Sequence, residues 1–240
     1  MDRAVARAFN ILETLAQAHG PARLSAVAQR TGLQKSTVHR ILGTLTELGY
    51  AEQDGPSGLY RASLKAWELG AGVITDLPIK RAAAGFLQEA HRATGETVSL
   101  TVLTGDDVLY LDKIISPRPT RFTTRIGSRA PATNTAGGKA ILANHPGAEA
   151  IIARWSARRP LDAEALRAEL AEARARGYAI SSYSPGVISI GAAVRGPRGL
   201  PEAAISVSAP KERVTPAKQA QIIEAVLGAA ARMAEAAGAL

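Results

Sequence analysis

The sequence contains no cysteine, and this absence excludes disulfides, thiolate metal sites and thiol nucleophiles together. It is typical of proteins from a reducing compartment. No uncharged apolar run approaches the roughly 20 residues that a membrane helix needs, so we expect no membrane partner. The start, Met1-Asp2-Arg3, runs directly into an amphipathic pattern and does not resemble a signal peptide. We therefore expect a cytoplasmic protein.

Signatures of enzymes are also missing. There is no Gly-x-Ser-x-Gly nucleophile elbow, and the four histidines do not form a His-Glu-x-x-His zinc motif. Gly137-Gly138-Lys139 is not a phosphate-binding loop, because position 133 is threonine and position 140 is alanine. Gly70-Ala71-Gly72 is not a dinucleotide fingerprint, since position 75 is threonine. We expect neither catalysis nor a bound cofactor or metal ion.

The chain has 240 residues, of which 46% are hydrophobic, and a formal net charge of +8. This length allows one large domain or two smaller ones, and the basic balance favours an anionic partner. Basic and acidic residues are almost equal in number over residues 1–76, so most of the excess lies downstream. Net charge alone therefore does not locate a nucleic-acid-binding part, and the downstream excess is also typical of a solvated surface.

The first 62 residues have the pattern of a helix-turn-helix. Asp2 can cap a first helix that ends near Gly20-Pro21. Ser25 is a good N-cap for a second, short helix, and Gly32 can adopt the positive φ of a tight turn. A third helix is predicted from about Gln34 to Leu48. Two helices joined by a glycine turn, after a first helix, are typical of this motif.

A hairpin is predicted directly after the third helix. Residues 50–52 and 59–61 have strand character, and Asp54-Gly55-Pro56-Ser57-Gly58 has the composition of a turn. A hairpin in this place is a wing. Residues 1–62 are therefore predicted to form a winged helix-turn-helix domain.

The third helix is predicted to bury one face and to expose a basic, hydroxyl-rich one. Gln, Lys and Arg can read base edges in the major groove, and hydroxyls can bond to phosphates. The candidate DNA-binding residues are Ser25, Gln34, Lys35, Ser36, Thr37, His39, Arg40, Thr44 and Arg61. Two alternatives stay open: a solvated helix of a small helical domain, and a winged-helix module that binds proteins without sequence-specific DNA binding.

Downstream, a linker helix is predicted within residues 63–77, and a larger domain over residues 78–240. Helical periodicity over residues 78–93, 161–177 and 215–236 predicts three helices. Alternation predicts strands, which we place at residues 96–103, 108–114, 120–124, 179–180, 187–194 and 203–207. Antiparallel strands flanked by helices indicate an α+β sensor domain.

A ligand site is predicted in this second domain. Residues 135–139 are small and offer a helix N-terminus, where backbone N–H groups attract anions. Ser206 and Ser208 lie two apart on one strand, so they share a face, which is either a pocket or solvent. Together they predict a small organic anion in an otherwise mostly apolar pocket, and a hydrophobic neutral effector is the competing hypothesis. The string Arg118, Arg121, Arg125 and Arg129 is either a solvated loop or a gate that attracts an acid.

Four stretches carry a family resemblance that spans essentially the whole chain. The run LSAVAQRTGLQKSTVHRILGTLTELGYAEQ (24–53) resembles the winged helix-turn-helix of the IclR family of bacterial transcription regulators. IGSRAPATNTAGGKAILA (126–143), GVISIGAAVRG (186–196) and EAAISVSAP (202–210) resemble parts of that family's effector domain. The resemblance implies a GAF-like effector-binding domain and makes Tyr183 and Ala193 candidate pocket walls. The candidate effector-binding residues are Ala136, Gly137, Gly138, Tyr183, Ala193, Ser206 and Ser208.

The sequence departs from the family pattern in one region. Family members usually carry carboxylates shortly before the strand that corresponds to residues 187–194, whereas this chain has ISSYSPG at 180–186. Arg195-Gly196 stands where an aromatic-acidic pair is common. The departure does not affect the expected fold, but it changes the expected chemistry of the effector site, because a carboxylate there would repel an anionic ligand.

The expected function is ligand-responsive regulation of transcription. One recognition helix reads only a few base pairs, so a dimer or a dimer of dimers on a near-palindromic operator is expected. The expected partners are double-stranded operator DNA, a small-molecule effector that is a carboxylate, and further copies of the chain.

Overall fold

A computed structural model of the chain describes residues 2–18, 20–196 and 198–238. The chain divides after Thr75 into two compact units. Within the described residues, no helix is both long enough and apolar enough to span a membrane.

The described residues of the first unit form four helices and a two-stranded hairpin. The elements are α1 (Arg3–Ala16), α2 (Leu24–Thr31), α3 (Lys35–Glu47), β1 (Ala51–Gln53), β2 (Tyr60–Ala62) and α4 (Leu64–Thr75). The two strands pair antiparallel. Ile11, Val27, Val38 and Leu42 are buried between the first three helices, and Tyr60 of the hairpin joins the same core. This arrangement is the predicted winged helix-turn-helix.

The sequence signals at the helix ends have mixed outcomes. The Asp2 carboxylate accepts a hydrogen bond from the Ala4 N–H at 2.8 Å and caps α1 as predicted. Gly32 ends α2 with φ 68°, the left-handed conformation that the turn requires. The prediction that Ser25 is the N-cap of α2 is wrong, because that position belongs to Arg23 and Ser25 lies inside the helix. The chain enters α2 from the bridge between Ala22 and Tyr60, which starts the helix earlier.

The helix α4 has no buried residue. Its large apolar side chains are exposed, and they include Leu64, Trp67, Leu69 and Val73. The predicted linker helix therefore exists and leaves an apolar surface uncovered within the single chain.

The second unit is a six-stranded antiparallel sheet between two groups of helices. Its helices are α5 (Pro78–Thr94), α6 (Ala136–Leu142), α7 (Ala148–Ser156), α8 (Ala163–Arg176) and α9 (Pro216–Gly238). Its strands are β3 (Thr97–Thr104), β4 (Asp107–Ile114), β5 (Arg129–Pro131), β6 (Ala179–Ser181), β7 (Val187–Arg195) and β8 (Pro201–Pro210). The spatial order is β5-β4-β3-β8-β7-β6, and this α+β layering is the expected GAF-like domain.

The two faces of this sheet have different partners. One face packs against α5 and α9, and its core includes Leu87, Val98, Ile205 and Val226. Part of the other face packs against α6, α7 and α8. Residues 97, 99 and 101 alternate with buried apolar neighbours on β3, so their polar side chains lie on this second face. The uncovered part of that face is where a ligand can enter.

The prediction of a strand at residues 120–124 is wrong. The structure has no strand there, and the strand that pairs with β4 is Arg129–Pro131. A side chain holds the segment instead: the Thr97 hydroxyl donates to the Phe122 carbonyl at 2.8 Å. Because β5 pairs with the outer edge of β4, the threonine-rich segment has no free strand edge with which to pair. It forms a loop at the uncovered part of the sheet.

Candidate functional site

The outward surface of α3 carries the predicted DNA-binding side chains. Gln34, Lys35, Ser36, His39, Arg40 and Thr44 are exposed, and Thr37 is half-buried. Val38, Ile41, Leu42 and Leu45 occupy the opposite surface and are buried in the core. No ion pair involves Lys35 or Arg40 among the described residues, so both cations are available to an anion from outside.

Two of the predicted DNA-binding residues, Arg61 and Thr44, have neighbours that limit their freedom. Arg61 bonds to Glu52 across the hairpin, with 2.7 Å between its terminal nitrogen and the carboxylate. The Thr44 hydroxyl donates to the Arg40 carbonyl at 3.2 Å. Ser25 is exposed within the first turn of α2. The charge of Arg61 is thus compensated in the free protein, whereas that of Arg40 is not.

The second unit contains a cavity on the open face of its sheet. It has a volume of about 370 Å³, including the part that is open to solvent. Its lining residues come from strands β3, β4, β6, β7 and β8, from the start of α6 and from two loops. They are Thr101, Tyr110, Phe122, Thr135, Ala136, Gly137, Ser181, Tyr183, Ser184, Ser189, Ser206 and Ser208.

Five of the seven predicted effector-binding residues lie together in this lining: Ala136, Gly137, Tyr183, Ser206 and Ser208. Sequence reasoning missed the other seven lining residues. A usable signal was present for Thr101 and Ser189, because polar residues recur with period two on β3 and β7 beside fully buried apolar ones.

Gly138 and Ala193 lie outside the lining, and the structure gives them packing roles. The Gly138 N–H donates to the Thr135 hydroxyl at 3.1 Å, so it is not available to a ligand. A Cβ at Gly138 would lie 2.2 Å from the Ala132 carbonyl oxygen. Ala193 packs against the apolar cluster under α6 and α8. The expectation of three free N–H groups at 136–138 is corrected in this respect.

The cavity is hydroxyl-rich, and the expectation of a mostly apolar pocket is wrong. Apart from Phe122, Ala136 and Gly137, every lining residue carries a hydroxyl group, and none is charged. The hydroxyls of Ser189 and Ser208 are hydrogen-bonded at 2.8 Å, and the Ser181 hydroxyl donates to the Asn134 carbonyl at 2.5 Å. Burial raises the pKa of the Tyr110 phenol, which therefore stays neutral and can donate a hydrogen bond.

Three arginines of the loop around Phe122 and of the adjoining strand β5 have structural partners. Arg118 pairs with Glu96 at 2.8 Å, Arg121 donates to the Arg118 carbonyl, and Arg129 donates to the Thr104 carbonyl. The Glu96 carboxylate is fully buried and also binds Arg213 at 2.7 Å. These contacts anchor the loop. Among the residues that the structure describes, no cluster of histidine and carboxylate side chains is placed to hold a metal ion.

Known proteins match both units. The model of the IclR helix-turn-helix domain matches residues 4–55, and that of the bacterial transcriptional regulator IclR C-terminal domain matches residues 71–235. The chain is 37% identical over 221 residues to the probable transcriptional regulator SauR of Cupriavidus necator, with 88% of each chain covered. It is 32% identical to the HTH-type transcriptional regulator XynR of Escherichia coli, which covers 98% of this chain and 97% of that one.

Solved structures share the fold. A crystal structure of an IclR homologue from Microbacterium hydrocarbonoxydans, complexed with 4-hydroxybenzoate, superposes with a TM-score of 0.84 at 24% identity. That comparison covers 99% of this chain and 100% of the homologue. The family models together span both compact units of the fold described above. The chain belongs to the IclR family of bacterial transcriptional regulators.

Proposed function

We propose that this regulator binds a near-palindromic operator as a dimer or dimer of dimers in the cytoplasm, and that a small carboxylic acid in the hydroxyl-lined cavity changes its affinity for DNA. The observation that supports the proposal most directly is the presence of two separate sites in one chain. A helix with an uncompensated basic surface lies in the first unit, and a cavity without charged lining residues lies in the second.

The α3 surface supports binding in the major groove. A helix fits that groove, and Lys35 and Arg40 can bond to guanine or to phosphates. The nearby Ser36 and Thr37 hydroxyls and the N–H groups of the first turn can bind a phosphate. This set distinguishes the proposal from the alternative of a winged-helix module that only binds proteins, because DNA binding by such a surface should be selective and should weaken steeply with salt.

The exposed face of α4 supports self-association. Leu64 is 76% and Trp67 is 69% exposed in the single chain. Contiguous exposed apolar side chains of this size mark interaction surfaces in soluble proteins. A second copy that covers this face would place two winged helix-turn-helix domains on one DNA molecule, which is the arrangement that a palindromic operator requires.

Replacing Trp67 by serine should disrupt the dimer. Loss of a large aromatic side chain at the centre of an interface costs about 2–4 kcal/mol, which corresponds to at least roughly a 30-fold weaker association. Sedimentation velocity over a range of protein concentrations measures this change. The matched control is Glu68→Ala on the same helix, which should stay dimeric, and an unchanged sedimentation coefficient for Trp67→Ser would contradict the role of α4.

The cavity supports a polar ligand that contains a carboxylate. The N–H groups of Ala136 and Gly137 lie at the start of α6 in its wall, and serine hydroxyls cover its floor. No lining carboxylate repels an anion. The homologue from M. hydrocarbonoxydans holds 4-hydroxybenzoate, which supports carboxylic acids as the class to test. A ligand alters DNA affinity to the extent that it favours one arrangement of the two DNA-binding domains in the dimer.

Replacing Ser206 by alanine should weaken the response to the effector. Ser206 is buried, lines the cavity and lies between Ser99 and Gly191 in the register of the sheet. Loss of one hydrogen bond of about 0.5–1.5 kcal/mol lowers affinity up to roughly tenfold. The measured quantity is the acid concentration that gives half of the maximal change in DNA binding. The control is Ser156→Ala on α7. If ligand-free DNA binding falls equally in Ser206→Ala, the residue has a folding role instead.

The test of the proposed function is a fluorescence anisotropy titration of the full chain with DNA from the upstream region of its own gene. It is run at several salt concentrations, with and without a panel of aliphatic and aromatic acids. Selective binding that one acid alters is the expected result. Selective binding that no acid alters would reject the carboxylate effector, and the absence of selective binding at every salt concentration would favour the protein-binding module.

A further inference from the structure

The floor of the cavity consists of three rows of residues that run across the sheet. The first row contains Tyr110 and Thr101, which are paired between β4 and β3. The third row runs through Thr97, Ser208, Ser189 and Ser181 of four successive strands. Each row contributes lining hydroxyls. A middle row runs between these two, and its Ser206 also lines the cavity.

The middle row ends in a lysine. Lys113 of β4 pairs with Ser99, and Ser99 pairs with Ser206, which lines the cavity. The pairing skips Leu111 of β4, because Leu100 pairs with Asp112 and Thr101 with Tyr110. Lys113 therefore shares the cavity side with Tyr110, whereas its neighbour Asp112 bonds to Lys80 on α5 at the opposite face. Lys113 is a cation on the cavity side of the sheet, outside the residues that line the cavity, and sequence periodicity alone did not identify it.

The Lys113 ammonium has a neutral partner in the ligand-free protein. It donates to the Thr123 hydroxyl at 3.1 Å, and Thr123 is adjacent to Phe122, which lines the cavity. Among the side chains that the structure describes, no carboxylate pairs with it. Lys113 is half-buried, and burial lowers its pKa. A partly desolvated ammonium without a counter-ion gains stability when an anion binds beside it.

We propose that Lys113 binds the carboxylate of the effector and that the surrounding hydroxyls select an effector that itself carries hydroxyl groups. This inference rests on the proposed function, because it concerns the same cavity, and it names both the residue that binds the charge and the class of acid. The effector is a small hydroxy acid, with its carboxylate toward Lys113 and Thr123 and its hydroxyl groups toward Ser206, Ser208 and Thr101.

Other cations near the cavity are engaged elsewhere. Arg118 is paired with buried Glu96, Arg129 donates to the Thr104 carbonyl, and Lys139 is paired with Glu169. Arg121 is bonded to the Arg118 carbonyl. A carboxylate that recruited one of these would first have to break an existing contact, whereas Lys113 has only a hydroxyl to exchange.

The lining also argues against a purely apolar acid. A bound hydrocarbon chain would displace water from the serine and threonine hydroxyls without replacing its hydrogen bonds. A buried polar group left without a partner costs about 1–3 kcal/mol. A site built from hydroxyls therefore rejects ligands that lack matching polar groups more strongly than an apolar site rejects an added hydroxyl.

Isothermal titration calorimetry of the full chain with matched probes tests this inference. The hydroxy acids are glycerate, gluconate and 4-hydroxybenzoate; glycerol, sorbitol and 4-hydroxybenzamide are their neutral counterparts; hexanoate and benzoate lack hydroxyl groups. At least one hydroxy acid should bind ten or more times more tightly than its neutral counterpart and than either acid without hydroxyls. DNA anisotropy is recorded with the same compounds.

The variant Lys113→Met should lower the affinity for that hydroxy acid at least tenfold and leave the affinity for the neutral counterpart within twofold. Lys113→Arg should retain most of the binding. Lys211→Met, which removes an exposed lysine of the 3₁₀ turn at Lys211–Arg213, is the matched control and should change nothing. Thermal unfolding checks that each variant is folded, and Lys113→Gln replaces the methionine variant if that one is not.

Two kinds of result would overturn the inference. If hexanoate or benzoate binds best and alters DNA binding, or if Lys113→Met binds the hydroxy acid as the wild type does, the inference is wrong and the proposed function stands. If no acid binds and none alters DNA binding, both the inference and the proposed carboxylate effector fail.

Discussion

Replacing Lys35 and Arg40 together by alanine is expected to lower the affinity for the operator by at least about 30-fold. Both side chains lie on the exposed surface of α3 without an ion pair among the described residues. A base or phosphate contact of such a cation contributes about 1–3 kcal/mol, so the loss of two costs about 2–6 kcal/mol and weakens binding by a factor of at least roughly 30. Neither side chain packs in the core, and the thermal unfolding temperature should therefore stay within a degree or two of the wild-type value.

The measurement is fluorescence anisotropy with operator and scrambled DNA at three salt concentrations. The matched control is Arg3→Ala with Arg7→Ala, which removes the same charge from the exposed surface of α1. The control should lose less than threefold. The α3 variant should also show a shallower dependence on salt, because each lost phosphate contact reduces the number of released counterions.

A similar loss in both variants would show that net charge, and not the α3 surface, controls DNA binding. The recognition role of α3 would then be rejected. The distinction is needed because the first unit is nearly neutral overall. Any strong affinity of this unit for DNA must come from how its charges are arranged.

Much of the fold could be predicted from the sequence because the periodic apolar patterns begin and end at residues that favour helix caps and turns. The 3.6-residue pattern around Val38, Ile41 and Leu45 is followed by Gly49, and α3 ends at Glu47, shortly before this glycine. Asp2 caps α1 with its side chain, as predicted from its position. Local signals of this kind need no information about distant neighbours, which explains why they succeed.

The incorrect predictions share a different cause, since each depended on a partner that is distant in sequence. The segment around Phe122 has the composition of a strand, but β5 had already taken the edge of β4. Ser25 has the chemistry of a cap, but the bridge between Ala22 and Tyr60 starts the helix before it. Strand pairing and chain entry are set by tertiary structure, which overrides local preference.

The cavity shows the same limit. The serines of β8 could be found because alternation puts them on one face, but their face could not be assigned to pocket or solvent until the sheet order was known. Lys113 could not be found at all. Leu111 of β4 is an extra residue without a partner in β3, and it changes the phase of the pairing and brings the lysine onto the cavity side. Such irregularities leave no signal in a single sequence.

Replacing Gly138 by alanine is expected to destabilise the second unit by at least about 3 kcal/mol. Gly138 lies in α6 directly against the backbone of Ala132, where an added Cβ would be 2.2 Å from the carbonyl oxygen and 2.5 Å from the Cα. Backbone atoms cannot rotate away as the end of a side chain can, so the helix must move. Overpacking a core costs about 1–3 kcal/mol and occasionally more, and a clash with backbone belongs at the upper end.

The matched control is Gly85→Ala, the same change on the exposed side of α5. A Cβ at Gly85 has no neighbouring atom within 4 Å. Alanine is the better helix former by roughly 0.5–1 kcal/mol, so this variant should be slightly more stable than the wild type. Urea unfolding measures the change in the free energy of unfolding for both variants. Opposite signs of the two changes would separate the steric cost of the Cβ at Gly138 from the effect of helix propensity.

The consequence of Gly138→Ala for the ligand follows from the position of α6. A shift of this helix moves Ala136 and Gly137, which form the cavity wall, and Gly191 of β7 already lies close beneath them, since a Cβ there would be 3.0 Å from the Gly137 nitrogen. Effector affinity should therefore fall in any fraction of the variant that remains folded, whereas DNA binding by the first unit should be retained. A Gly138→Ala protein with wild-type stability and wild-type effector affinity would show that the contact with Ala132 relaxes freely, and that the small residue at this position is not required by packing.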